Sequence, residues 1–312
     1  MSFSTDIKNE VTKLDSTKTE YISELSAIIR NTSQIENSIK IHLENNSVAR
    51  RIYKLFKDIY GISPIVTVRK RYNFNKNLNY ILEIKEKVNT ILKDLSIYSE
   101  NMEYLNIPSD YIISDEEELR AYLRGVFLSV GSINDPKTSR YHLELALDNK
   151  DYANFINDIL NSYYLNSRIL KREKHYMVYI KEAEKISDFL RIIKAYNAVM
   201  YYEDIRIYRD HKNMTNRLNN CEQANIDKVF ITSNNQIKDI NILKENDMLD
   251  LIDEKLKEVI EYRLKYRESS LQELSEIITL ETGKKITKSG LNHRFRKIRE
   301  IVNKIENQKL DK

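Results

Sequence analysis

A chain of 312 residues with 41% hydrophobic content can bury more than one core, and it holds no apolar run of about 18 residues able to cross a bilayer. The opening MSFSTDIKNEVTKLD lacks the apolar centre of a signal peptide, so a soluble cytoplasmic protein is expected, and the single Cys221 excludes an internal disulfide or a Cys-based zinc site within one chain. The net charge of +4 is uneven: residues 281–312 carry ten Lys or Arg against four acids, a net +6, which leaves −2 for residues 1–280. Positive potential at one end can steer a chain toward phosphate, and a solvated basic tail is the alternative that composition leaves open.

Along the chain, an internal repeat sets the architecture. The segments 21-YISELSAIIRNTSQI-35 and 121-AYLRGVFLSVGSIND-135 share an apolar pattern of helical spacing. Then IHLEN (41–45) corresponds to YHLEL (141–145), VARRIYKLFKDIYG to DYANFINDILNSYY, and YILEIKEKVNTILKDL (80–95) to MVYIKEAEKISDFLRI (177–192). Each unit reads as helix, strand pair, helix, strand pair, helix, with period-2 stretches such as Ile65-Val66-Thr67-Val68 between the helices. Strands grouped in hairpins predict antiparallel pairing. Two such units sharing one sheet predict an α+β domain over residues 1–208, with repeats at about 1–98 and 115–208. The run Ser114-Asp115-Glu116-Glu117-Glu118 reads as a capped helix start for the second repeat.

Within that second repeat, 123-LRGVFLSVG-131 is a helix ending at Gly131, with small residues at Gly125 and Ser129 on one side. Small side chains four apart allow close helix approach, so this helix is expected to pack on 25-LSAIIRNTS-33 with Ala27 facing Gly125. These segments resemble the paired LAGLIDADG helices of homing endonucleases, and the match is closest to the WhiA family of bacterial sporulation and cell-division regulators. The resemblance implies a saddle-shaped antiparallel sheet. In nuclease members of that fold, an acid at the penultimate motif position holds the divalent metal; here those positions are Val130 and Thr32, so no catalytic residue, metal or cofactor is expected. The pairs His42/Glu44 and His142/Glu144 put one imidazole and one carboxylate on a strand face, a thin metal signature beside a structural role.

Basic residues recur in both hairpins, as Arg69, Lys70 and Arg71 and as Arg168, Lys171, Arg172 and Lys174. They are candidates for secondary phosphate contacts, and charged strand edges account for them equally well. Residues 209–240 are expected to connect the domains as a linker and helix. The stretch begins polar, with Asn213, Asn216, Asn219 and Asn220 favouring turns, and NRLNNCEQANIDK resembles a stretch typical of the WhiA family. Arg206, Arg209, Lys212 and Arg217 make it locally basic; a hydrated hinge is the expectation, with Arg217 a candidate phosphate contact.

From residue 241 the pattern is helical again. Ile252, Leu256, Val259, Ile260 and Leu264 form one stripe; Ser270 and Glu273 form a capping box ahead of Leu271, Leu274, Ile277 and Ile278, and Gly283 suits the exit. Leu291, Phe295, Ile298, Val302 and Ile305 form the stripe of a third, basic helix, which describes a helix-turn-helix domain over 241–312. Its other face holds Ser289, His293, Arg296 and Lys297, with Asn292 and Arg294 on the flanks. Ser289 is placed at the N-cap beside Lys288, and Asn292 and Arg296 are the candidates for base reading. KSGLNHRFRK resembles the recognition helix of the family, although the connection from about Leu280 to Lys288 exceeds the usual turn of this motif.

The leading expectation is a sequence-specific transcription regulator, or a nucleoid-associated protein, bound to double-stranded promoter DNA; the resemblance supplies cell division, chromosome segregation or sporulation as the process. The alternatives are a scaffold that binds a sigma factor or division protein, and a surviving nuclease.

Overall fold

The computed structural model describes residues 2–70, 78–138 and 140–310, with side chains through residue 307. The chain divides into two compact units, Met1–Asp210 and His211–Lys312.

In the first unit, α1 (Phe3–Val11) precedes α2 (Lys18–Thr32), β1 (Ser33–Ile35), β2 (Ile39–Leu43), α3 (Asn46–Tyr60), β3 (Ile65–Lys70), β4 (Leu78–Ile84) and α4 (Val88–Asp94). The series repeats as α5 (Glu116–Val130), β5 (Gly131–Ile133), β6 (Leu143–Leu147), α6 (Lys150–Ser162), β7 (Arg168–Lys171), β8 (Tyr176–Ile180) and α7 (Ala183–Ile192). The repeat read from the sequence is thus the repeat of the fold, down to local chemistry. Asn45 and Asn149 cap α3 and α6 in the same way, each side chain accepting from the next two turn amides. Their amides donate to Asn9 and Asn106 at 3.1 and 3.0 Å. Asp115 caps α5 as expected, its carboxylate accepting from the Glu118 N–H at 2.8 Å.

The two repeats do not share a sheet. Each closes its own four-stranded antiparallel sheet, in the orders β1-β2-β4-β3 and β5-β6-β8-β7. At the β5 edge, the outward-facing Ile133 N–H and C=O are both taken by the Ser4 hydroxyl of α1, at 2.7 and 2.8 Å. Backbone groups satisfied in this way are not offered to another strand. One face of each sheet is apolar, with Ile39, Ile41 and Leu43 on β2 and Leu143, Leu145 and Leu147 on β6 buried at alternate positions. These faces meet α2 and α5 in one core that also buries Phe3, Ile7 and Val11 of α1.

Where a hydrated hinge was expected, one helix, α8 (Tyr196–Glu245, 50 residues), runs without interruption. Asn213, Asn216, Asn219 and Asn220 lie inside it and are exposed. Nucleation is the costly step of helix formation, and both ends of α8 are fixed: Val199 and Tyr202 belong to the first core, Ile240 and Leu243 to the second. Between them, asparagines cost only a few tenths of a kcal/mol each, and no Gly or Pro interrupts the backbone. No helix among the described residues is long and apolar enough to cross a membrane.

The second unit adds α9 (Glu254–Lys265), α10 (Leu271–Thr282) and α11 (Lys288–Leu310) to the last turns of α8. Its core consists of Ile240 and Leu243 with Leu256, Val259, Ile260, Leu274, Ile278, Leu291, Phe295, Ile298 and Val302.

Candidate nucleic-acid interface

The geometry of α9 to α11 follows from local chemistry. The Ser270/Glu273 capping box forms, and Gly283 closes α10 in the left-handed conformation at φ 70°, which other residues adopt at a cost. The connection to α11 then takes five residues, Gly283 to Thr287. Arg263 of α9 is buried, its guanidinium donating to the Ser269 carbonyl at 2.6 Å and lying over the Phe295 ring at 5.5 Å, so it ties α9 to the turn before α10 and to α11. Burial lowers its pKa from the usual arginine range.

The cap of α11 is Thr287, not Ser289. Its hydroxyl accepts from the Gly290 N–H at 3.1 Å and its carbonyl from the Leu291 N–H at 2.9 Å. The Ser289 side chain is exposed one position into the helix, beyond the reach that a capping hydroxyl needs. Thr287→Ala should therefore lower stability by about 1 kcal/mol in urea denaturation; Ser289→Ala should stay within about 0.5 kcal/mol.

With Leu291, Phe295, Ile298 and Val302 inward, Lys288, Ser289, Asn292, His293, Arg296 and Lys297 are all exposed. Arg294 is not grouped with them in the same way. Its guanidinium lies 3.4 Å from the Glu258 carboxylate and 3.3 Å from the Lys255 carbonyl, which turns it toward α9. Arg299 similarly pairs with Asp239.

In the first unit, α2 and α5 cross where Ala27 meets Gly125. A Cβ built on Gly125 would stand 2.9 Å from the Ala27 Cβ and 2.3 Å from the Glu24 carbonyl oxygen, so only glycine fits. Beside this crossing lies a group that the sequence reading did not single out. Glu24 accepts from Arg124 Nε at 2.7 Å and from Arg51 Nη2 at 2.9 Å, and Glu24 and Arg124 are fully buried. Arg51 also reaches the carbonyls of Thr12 and Leu14, at 3.0 and 2.7 Å. The Glu24 charge and hydrogen bond raise the Arg51 pKa against the opposing pull of burial. A charge within the apolar run of α2 was the available signal, because an unpaired buried carboxylate is too costly to keep.

At the last positions of the two central helices, Thr32 donates its hydroxyl to the Ile28 carbonyl at 2.7 Å, and Val130 packs on the core. Neither offers a carboxylate. Among the described residues no group of three or more His, Cys, Asp or Glu is gathered. The His142 Nε2 lies 3.2 Å from the Glu144 carboxylate, while the buried His42 Nε2 has no hydrogen-bond partner among the described residues.

The basic residues of the hairpins divide between faces. Arg69 pairs in register with Asn79, two positions from the Thr67 and Ile81 pair, and shares the face that carries His42; Lys70 lies on the other. Arg168 pairs with Tyr179, which also pairs with Glu144, whereas Lys171 alternates to the opposite side. Arg69, Lys70, Arg168, Lys171, Arg172, Lys174 and Arg217 are exposed; Arg71 lies outside the described residues. The face that carries Arg69 also presents Glu83, 3.8 Å from Lys40, so its charge is mixed.

Three family profiles match the chain in succession: the WhiA N-terminal LAGLIDADG-like domain at residues 18–98, the WhiA LAGLIDADG-like domain at 119–212 and the WhiA C-terminal HTH domain at 215–302. A protein of Bacillus cytotoxicus named "Probable cell division protein WhiA" is 42% identical over 310 residues, covering 98% of this chain and 97% of that one. Its namesake in Staphylococcus epidermidis is 41% identical over 312 residues, with 98% of each chain covered. The crystal structure of full-length DUF199/WhiA from Thermatoga maritima aligns with a TM-score of 0.58 at 25% identity, over 97% of this chain and 99% of that one. Duplicated helix-crossing units and a capped basic helix-turn-helix, matched along nearly their whole length, make this chain a member of the WhiA family.

Proposed function

We propose that this protein is a sequence-specific DNA-binding regulator of genes for cell division or chromosome segregation, without nuclease activity, and that the exposed face of α11 reads the DNA. One observation carries the reading: the apolar stripe of α11 is consumed by the core, which leaves Asn292, His293, Arg296 and Lys297 exposed beside Lys288 and Ser289 at the helix start. A basic helix presented in this way suits the major groove, where Arg and Asn make paired contacts to base edges and Lys neutralises phosphates. Arg294, tied toward Glu258, is assigned to holding the helix rather than to reading. The name carried by the relatives supports the process, and the apolar Val130 with the internally bonded Thr32 supports the lack of cleavage, since two-metal hydrolysis needs oxygen ligands from both halves.

The test is fluorescence anisotropy with promoter fragments and random duplex at two salt concentrations, using the full chain and an Asn292→Ala, Arg296→Ala double variant. The variant should lose at least about tenfold in affinity for the preferred fragment and far less for random duplex. Equal weak binding of every duplex by both proteins would reject α11 as the reader. Incubation with supercoiled plasmid and magnesium should leave it intact; a discrete cut would restore the nuclease reading.

A second reading has an observation of its own. Ile207, Met214 and Leu218 are exposed on one side of α8, an apolar stripe of the kind that meets partner proteins. A scaffold built on that stripe would bind its partner with little dependence on salt, and DNA only weakly.

A further inference from the structure

Beyond DNA binding, we propose that the cleft between α1 and the first sheet binds a small sugar phosphate, with Lys8 and His42 holding the phosphate and Glu44, Gln34 and Asn79 holding sugar hydroxyls. The cleft has a volume of about 860 Å³, within the range of about 300–1,000 Å³ typical of small-molecule sites. It is lined by five elements: Lys8 from α1, Gln34 from β1, His42 and Glu44 from β2 and its end, Asn79 from β4, and Ser132 from β5.

The residues are held in place by contacts that have nothing to do with a ligand. Phe3, Ile7 and Val11 anchor α1 in the core, and the Ser4 hydroxyl fixes its start to β5. Lys8 consequently projects into the cleft, 5.6 Å from the centre of the Phe127 ring. Burial pushes its pKa down to about 8, against the attraction of Glu44, so a bound anion would restore the charge that burial disfavours. The repeat provides an internal control. In the second half His142 Nε2 meets Glu144 at 3.2 Å, whereas in the first half the same His-Leu-Glu segment leaves the buried His42 Nε2 without a hydrogen-bond partner among the described residues. A buried donor or acceptor without a partner is uncommon and marks where one from outside the chain would fit.

The mixture of groups selects the ligand. A cation and an imidazole suit a phosphate, while a carboxylate and amides beside them suit neighbouring hydroxyls rather than a second anion. Among the described residues no Phe, Tyr or Trp lines the cleft, so the described walls offer a nucleobase no large ring on which to stack.

Titration calorimetry of the full chain with ribose 5-phosphate, with ribose and inorganic phosphate as partial probes, decides the matter. Ribose 5-phosphate should bind, and more tightly than either part. Lys8→Met and His42→Gln should each weaken it at least tenfold with an unchanged circular dichroism spectrum, and either variant alone suffices if the other fails to fold. The ionisable groups that line the cleft with Lys8 are His42 and Glu44; Lys8 loses its positive charge near pH 8, so binding should weaken between pH 7 and pH 9. Absence of binding at millimolar ribose 5-phosphate, or variants that bind as the parent does, would overturn the proposal. So would a short random duplex that displaces the sugar phosphate and depends equally on Lys8, because the phosphate source would then be DNA. The Asn292→Ala, Arg296→Ala protein should bind ribose 5-phosphate unchanged, which separates failure here from failure of α11 as the reader.

Discussion

Glu24→Gln should cost about 3–5 kcal/mol of folding stability in urea denaturation at neutral pH, a loss more typical of a core truncation than of a single charge. The carboxylate is fully buried between two guanidiniums, with Arg124 equally buried and Arg51 nearly so. Its removal leaves two buried guanidiniums without the carboxylate that bonds both of them. Arg124 Nη1 already has no hydrogen-bond partner among the described residues, so the site has little reserve for a further loss. The uncharged amide keeps the shape, deletes the charge and turns one accepting oxygen into a donor facing guanidinium N–H groups, so a cost below about 1 kcal/mol would show that the triad is solvated or rearranged. Replacing all three residues together by apolar ones of similar volume should recover most of the loss, because the penalty belongs to the unpaired cations and not to the absence of an ion pair.

Gly125→Leu should destabilise by about 3 kcal/mol or more, roughly 6–12 °C in the melting temperature of a domain of this size. The added Cβ alone meets the Glu24 carbonyl oxygen at 2.3 Å, a backbone atom that moves only if α2 moves. Ala27→Gly removes the second contact, at 2.9 Å, and leaves the first in place, so it should restore little. Full rescue by Ala27→Gly would mean that the helices cross differently.

Period and punctuation made much of this fold legible before any coordinates. Alternation in IHL and HLE segments marked strands whose Ile39, Ile41 and Leu43 are buried in turn, because a strand with one face in the core admits no other pattern. Capping residues Ser270, Glu273 and Asp115 marked helix starts, since their hydrogen bonds close within three residues. The small pair Ala27 and Gly125 predicted a close helix crossing from side-chain size alone. The stripe of α11 likewise fixed which side chains the core would leave exposed.

Other features depended on atoms far apart in the chain. The Ser4 contact that covers the β5 edge spans 129 residues, and the ends of α8 are anchored in two separate cores, neither of which local propensity encodes. Arg294 reads as one more basic residue of a DNA-facing helix until Glu258, on another helix, turns it inward. Glu24 stands out by sequence only as a charge within an apolar run, its partners Arg51 and Arg124 are ordinary surface residue types, and Lys8 and His42 face a common cleft only after α1 folds back on the first repeat. The sequence by itself determined the repeat, the caps of α5 and α10, the close crossing and the exposed basic face of α11, because each rests on spacing within a few residues. The tertiary structure alone decided which charges are buried, which are paired and which line a cavity, because desolvation and Coulomb attraction act between groups that only packing brings together.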